Sequence, residues 1–304
     1  MKFWIVLPTL NDSPSIQAMI PVIKNDLLFA ESDAKITFVI VDDSLGKDSG
    51  VLSLKSENQE LEIQLCLPMK RLGNQEAILF GINSIFRRIG PEDFIVVMDS
   101  DGEDSPKDVR RLFTALKNSN ADIAIARRKK RHSKRMFLLG KNLYSLILRT
   151  LTGYKLETGN FSILRGEWLL RSGMTFFSHG VFASELIAND INRTVVDCVR
   201  PPRYDGQTRT NFWSLVQFGV FQLIPFFNII NIRALKSMSL NSLFLMAVYL
   251  LAKLHYVANP ENSLQLFYTI TEKILLATFF GEFILFTYTL HFLVNSRSSK
   301  PQQI

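Results

Sequence analysis

Four carboxylates surround one glycine in the run Asp99-Ser100-Asp101-Gly102-Glu103-Asp104. Carboxylates packed this densely repel one another unless a cation lies between them. Hard oxygen donors suit Mg2+ or Mn2+, held by one or two carboxylates together with substrate phosphates. The same run, leading to Pro106, also suits a solvated acidic loop that starts a helix. A second acidic pair, Asp42-Asp43, stands earlier in the chain. Both clusters follow β-branched apolar runs, at 36–41 and 94–98, of the kind that form buried strands. Ligands of open α/β sheets bind beyond the carboxyl ends of strands, so both clusters are expected at one sheet edge.

The elements that must position them alternate. Strand runs at 3–7, 36–41, 63–67, 94–98 and 123–126 are separated by helical patterns at 16–30, 74–88 and 105–118. Strands spaced by helices of this length imply parallel β-α-β crossovers. Seven of the nine residues 127–135 are Lys or Arg. If this run is helical, Arg127, Arg131 and Arg135 share a face. No aromatic residues interleave with it, so no nucleic-acid partner is expected. The net charge of +7 instead suggests phosphate ligands or an anionic membrane surface. Cys66 and Cys198 lie in apolar stretches and read as small core residues in a reducing compartment. The apolar run 3–7 meets Pro8 at once and is too short for a signal peptide.

From residue 211 the character changes. Residues 212–232 are aromatic and apolar, interrupted by Pro225, and suit a pair of short interfacial helices. Residues 239–252 are apolar, and 274–294 form 21 residues with one formal charge, Glu282. A bilayer-spanning helix needs roughly 20 apolar residues, so the second segment is the stronger candidate. Two spans make a hairpin. Arg233 and Lys236 before it, with Arg297 and Lys300 after it, put both ends and the catalytic region on the cytoplasmic side. A pair of buried helices in a soluble domain is the alternative.

Together these motifs resemble the polyprenyl-phosphate glycosyltransferases of glycosyltransferase family two, the dolichyl-phosphate mannose synthase-like enzymes in their membrane-anchored bacterial subgroup. The resemblance covers about residues 3–295. It implies an α/β fold: a GT-A, Rossmann-like nucleotide-sugar-binding domain over 1–210, amphipathic interfacial helices over 211–236, and a transmembrane hairpin with a short cytoplasmic tail over 237–304. Pro8-Thr9-Leu10-Asn11-Asp12 resembles the family's nucleoside-lining Pro-x-x-Asn-Glu loop, with Asp12 in place of Glu. Asp42-Asp43-Ser44 resembles the turn whose carboxylates meet base and ribose, and Asp48 is the later Asp of that turn. Lys70-Arg71-Leu72-Gly73 is similar to a phosphate-reaching basic motif. Asp99-Ser100-Asp101 resembles the Asp-x-Asp metal motif, which implies that Asp99 and Asp101 hold Mg2+ or Mn2+ and that Ser100 meets the nucleotide. Gly102-Glu103 stands where relatives have Leu-Gln.

The resemblance further implies a nucleotide site that includes Pro8, Asn11, Asp12, Asp42, Asp43, Lys70, Arg203 and Arg209. Arg203 and Arg209 lie in a segment similar to the family's phosphate-clamping loop before the membrane helices. Glu103, Asp104, Glu157 and Asn160 are the sugar-binding candidates. Arg127, Arg131 and Arg135 are assigned to the acceptor phosphate, and Arg127 and Arg131 join Asp99 and Asp101 as catalytic residues. The implied function is metal-dependent, inverting transfer of a sugar from a UDP- or GDP-sugar to polyprenyl phosphate at the cytoplasmic face. The implied setting is the cell inner membrane or its equivalent, as a multi-pass protein in contact with membrane lipid, with self-association up to a tetramer. Two alternatives remain open: transfer to a glycan or glycerolipid hydroxyl, which needs a base such as Glu103, Asp104 or Glu157, and a non-catalytic membrane-bound scaffold.

Overall fold

The apolar runs become strands because their β-branched side chains fit a pleated, two-sided surface. In this computed structural model the first half alternates β1 (Lys2–Thr9), α1 (Ser13–Ala30), β2 (Lys35–Asp42), α2 (Ser49–Leu52), β3 (Leu61–Cys66), α3 (Asn74–Ile85), β4 (Phe94–Val97) and α4 (Pro106–Lys117). Then follow β5 (Ile123–Lys129), α5 (Arg135–Thr152), β6 (Thr158–Arg165), α6 (Gly166–Ser172), α7 (Phe182–Ala188), β7 (Arg193–Val199), α8 (Phe212–Phe221), α9 (Phe227–Ala258) and α10 (Gln265–Ser298). The structure describes residues 1–54, 61–129, 135–154, 158–189, 191–204, 212–258 and 265–298.

The sheet order is β3-β2-β1-β4-β6-β5-β7. β1 pairs in parallel with β2 and β4, and β2 with β3, as the crossover pattern implies. The other half is mixed, because β6 enters antiparallel between β4 and β5. Arg165, at the end of β6, fixes this insertion. Its guanidinium donates to the carbonyls of Leu116 (2.6 Å), Ser119 (3.0 Å) and Ala121 (2.9 Å). A cation is well placed on the last carbonyls of a helix such as α4.

Both sheet faces are covered, so the central strands are apolar almost throughout. One face buries Phe3, Ile5 and Leu7 against α1 and α4, with Phe3, Phe94 and Phe113 in mutual ring contact at 5.0–5.6 Å. The other buries Trp4 and Val6 beneath α3. Gly81 lets α3 approach closely: a Cβ there lies 2.7 Å from Val6 Cγ1 and 2.9 Å from Val41 Cγ2. Gly81→Val is expected to destabilise the sheet domain by about 2 kcal/mol through overpacking. A melting temperature unchanged from wild type would overturn this account of the α3 contact. Cys66 and Cys198 are buried free thiols. Burial, and next the neighbouring Asp108 carboxylate, push the Cys198 thiol up to about 12, as suits a core residue and not a nucleophile.

The chain forms two compact units, Met1–Leu146 with Tyr154–Pro225, and Ile147–Gly153 with Phe226–Ile304. In the second, α9 packs on α10. Ser242 Oγ donates to Glu282 Oε1 at 2.9 Å, so the one charge of the 274–294 stretch is turned to the neighbouring helix. Leu243, Phe244, Phe280 and Ile284 are all more than 60% exposed. Among the described residues one stretch, Val216–Leu251, is long and apolar enough to cross a membrane. The 274–294 stretch lies on α10, and its side chains from 289 onward are outside the described residues. The expected pair of short helices over 212–232 is corrected. Only α8 is short, and the second helix is the start of the 32-residue α9, which no Gly or Pro interrupts. The expected boundary at 236/237 therefore falls inside α9.

Candidate active site

A pocket of about 570 Å3 opens in the first unit at the carboxyl ends of β1, β2 and β4. The loop after β1 supplies Pro8 and Asp12 to its wall. Asn11 takes a left-handed backbone (φ 56°), which Asn tolerates, and turns the chain into α1. It is exposed and does not line the pocket. Ser100 Oγ lies 3.5 Å from Asp12 Oδ2 and links the β1 and β4 loops.

The Asp42-Asp43 pair divides its work. Asp42 is fully buried, and its two oxygens accept from the backbone N–H of Ser44 (2.8 Å) and Gly46 (3.0 Å). It builds the turn, as Asp does in Asx geometry, and is not part of the pocket wall. Asp43 is in the wall, and its carboxylate accepts from the N–H of Leu72 (2.6 Å) and Gly73 (3.1 Å). It thereby ties the loop before α3 to the end of β2. Arg71, with Nε 3.8 Å from Asp43, lines the pocket, whereas exposed Lys70 does not. Asp48 accepts from Ser13 Oγ (2.7 Å) and Gly50 N–H (3.1 Å), capping α2.

The acidic hexad is folded by its own carboxylates. Asp104 is 2% exposed and accepts the Asp99 N–H at 3.0 Å. Asp101 Oδ1 accepts the Glu103 N–H at 2.9 Å, across Gly102 at φ 81°. Asp99, Ser100 and Asp101 reach the pocket wall, and Glu103 and Asp104 do not. Of these two sugar-binding candidates, Asp104 shapes the loop through the Asp99 N–H, and Glu103 faces two arginines. Arg200 forms an ion pair with Glu103, while Arg203 pairs with Asp101 Oδ2 (2.8 Å) and approaches Glu103 Oε1 (3.7 Å). Arg200 and Arg203 both line the pocket. Burial pulls the Arg200 guanidinium below its usual value, and the Asp101 and Asp99 carboxylates oppose that pull.

Asn160 lines the pocket from β6. It belongs to an amide network that sequence reasoning missed. Asn160 Nδ2 donates to Asn74 Oδ1 (2.8 Å), Asn74 Nδ2 donates to Asp99 Oδ1 (3.1 Å), and Gln75 Nε2 donates to Asn160 Oδ1 (2.9 Å). Phe218 of α8 and Gln222 just after it also line the pocket, and the Tyr144 hydroxyl lies 2.9 Å from Gln222 Oε1. Burial pushes the Tyr144 hydroxyl up to about 12, so it stays a neutral hydrogen-bonding group. Arg200 sits three residues before Arg203 in the sequence and carried no motif of its own.

The shared helical face of Arg127, Arg131 and Arg135 is corrected. Arg127 lies on β5, whose parallel pairing with β7 continues through Arg127↔Asp197 and Lys129↔Val199, and α5 begins only at Arg135. The Arg127 Nε donates to Asp197 Oδ1 at 2.6 Å, away from the pocket. Arg131, Glu157 and Arg209 lie outside the described residues, as does the side chain of Arg135.

Among the described residues no three His, Cys, Asp or Glu side chains converge on a ready metal shell. Asp99 and Asp101 offer hard oxygen donors in the pocket wall. That donor set fits a divalent cation completed by phosphate oxygens and water, as Mg2+ favours.

Residues 4–182 match the family model described as glycosyl transferase family 2. No curated protein matches the chain. Among solved structures, the chain is similar to glucosyl-3-phosphoglycerate synthase from Mycobacterium tuberculosis, in complex with Mn2+, uridine diphosphate and glucosyl-3-phosphoglycerate. The identity is 17%, the cover 74% of this chain and 80% of that one, and the TM-score 0.47. Mannosyl-3-phosphoglycerate synthase from Rubrobacter xylanophilus is 14% identical, with 74% and 72% covered and a TM-score of 0.47.

Proposed function

The chain belongs to glycosyl transferase family 2, and from that premise we propose that it moves a sugar from a UDP- or GDP-sugar to polyprenyl phosphate at the cytoplasmic face of a membrane, with inversion at the anomeric carbon. The family and the mixed α/β sheet establish a GT-A glycosyltransferase. The acceptor, the membrane hairpin and the individual residue roles are the proposal. The observation that carries it is one pocket wall in which Asp99 and Asp101 meet Arg200 and Arg203 at the carboxyl end of β4.

In this reading Pro8, Asp12 and Asp43 line the nucleoside end, and Asn160 and Glu157 meet sugar hydroxyls. Arg71, Arg200 and Arg203, joined by Arg209, take the diphosphate, because guanidinium matches phosphate geometry. A divalent cation on Asp99 and Asp101 supplies Lewis-acid neutralisation of the leaving diphosphate. The acceptor phosphate is already ionised, so no side-chain base is required. Its oxygen bonds to the anomeric carbon as the bond to the diphosphate oxygen breaks, and the electron pair leaves with the nucleoside diphosphate. Arg131 and Arg135 hold the acceptor phosphate, and proximity and charge neutralisation supply most of the rate. The exposed apolar side chains of α9 and α10 support a lipid setting, since apolar patches this large are rarely left to water.

The test is transfer by the detergent-solubilised chain from radiolabelled UDP- and GDP-sugars to undecaprenyl phosphate with Mn2+. Label in the lipid phase supports the reading. Label transferred only to a hydroxyl acceptor overturns the phosphate acceptor and keeps the family activity. No transfer from any donor, with no nucleotide binding, leaves the scaffold alternative.

A further inference from the structure

We infer that Glu103 is a positioning residue that holds Arg200 and Arg203 toward the donor diphosphate and makes no contact with the sugar. This rests on the reading of the pocket as a nucleoside-diphosphate site. Glu103 lies within ion-pair distance of both guanidiniums: Oε2 pairs with Arg200, and Oε1 faces Arg203 Nε at 3.7 Å. Its side chain is 13% exposed and stands behind the wall that the two arginines form. The Nε atoms of Arg200 and Arg203 are buried with no hydrogen-bond partner among the described residues, so the terminal nitrogens and Glu103 decide where each guanidinium points. The two cations disfavour each other, since Arg203 adds to the downward pull on Arg200.

The backbone holds Glu103 for this task. Its N–H is fixed on Asp101 Oδ1 across the left-handed Gly102. The Tyr204 N–H donates to the Asp101 carbonyl at 3.2 Å, and the Tyr204 ring covers Gly102 so closely that a Cβ there would overlap it. Segment 200–204 is therefore joined to the acidic loop by main chain at Tyr204 and by charge at Glu103. Asp101 also holds Arg203, at 2.8 Å, but it belongs to the proposed cation pair. When Asp101 serves a cation, Glu103 is the carboxylate left to hold Arg203.

The experiment titrates UDP and GDP into the solubilised full chain with Mn2+. Glu103→Gln is expected to weaken binding about tenfold, the effect of a loosened charge-assisted contact. Glu103→Asp should recover most of that loss. The double variant Glu103→Gln/Arg200→Gln should lose less than the product of the two single losses, because part of the Glu103 effect runs through Arg200 and residues acting through one another are not additive. Mn2+ affinity measured without nucleotide should not change in Glu103→Gln. Binding by Glu103→Gln equal to or tighter than wild type, or losses that multiply in the double variant, overturns the inference. So does loss of Mn2+ affinity in Glu103→Gln, which makes Glu103 a metal ligand. Wild-type protein that binds neither nucleotide overturns the donor-site reading itself, an outcome distinct from normal wild-type binding with an unaffected variant.

Discussion

Asp101→Asn is expected to lower sugar transfer by at least a thousandfold, about 4 kcal/mol of transition-state stabilisation, while the protein stays folded. The substitution keeps the shape of the side chain and an oxygen to accept the Glu103 N–H, which lies 2.9 Å from Oδ1. What it removes is charge. Asp101 is 6% exposed at the pocket wall and pairs with Arg203, so its charge acts in a partly desolvated site where screening is weak. Loss of that charge would weaken the hold on the proposed cation, which would neutralise the leaving diphosphate. Chelation of divalent ions should reduce the wild-type protein to the level of the variant, and added Mn2+ should restore only the wild type. Transfer is measured as label reaching the acceptor, and folding as the melting temperature. Full activity in Asp101→Asn would sink the assignment of this residue to the metal site.

The largest stability effect is expected at Trp4. Its side chain is 1% exposed in the core face beneath α3, and Nε1 donates to Asp93 Oδ2 at 3.1 Å. Asp93 also accepts from the N–H of Lys2 (2.9 Å) and Gly90 (2.8 Å), so it closes the amino edge of the sheet. Lys2 Nζ lies 3.9 Å from the indole centroid, which adds a cation–π contact. Trp4→Ala leaves a large cavity and removes one of the two donors to Asp93 Oδ2, the Gly90 N–H remaining, and should cost about 4 kcal/mol. Trp4→Phe keeps most of the volume and should cost about half as much. Thermal or denaturant unfolding of the two variants checks the order. Equal stabilities for Ala and Phe would show that packing at this site is not what holds β1.

Legibility from sequence followed the range of the interaction. The strands β1 to β4 and the helices α1, α3 and α4 were readable because periodicity and turn residues are local signals. The antiparallel insertion of β6 was not, because it depends on Arg165 reaching carbonyls more than 40 residues earlier in the chain. The basic run shows the same limit. Its charge pattern permits a helical face, but pairing of 127–129 with 197–199 draws Arg127 into a strand and onto Asp197. At the site, Asp99 and Asp101 stood out by type and spacing. Asn74 and Gln75 did not, since an amide at a helix start carries no local sign of what it will touch.

The sequence by itself determined that carboxylates follow buried strands, that arginines are available for phosphate, and that the last third of the chain is apolar. These follow from residue type and near-neighbour spacing, which no fold can change. Only the tertiary structure decided which of those charges work together. Asp42 and Asp104 are spent on backbone N–H groups, where a buried donor must be satisfied. Glu103 is turned toward Arg200 and Arg203, which arrive from a segment a hundred residues away in sequence. Charge interactions of this kind depend on distance and burial, and those are settled only when β4 and β7 lie in the same sheet.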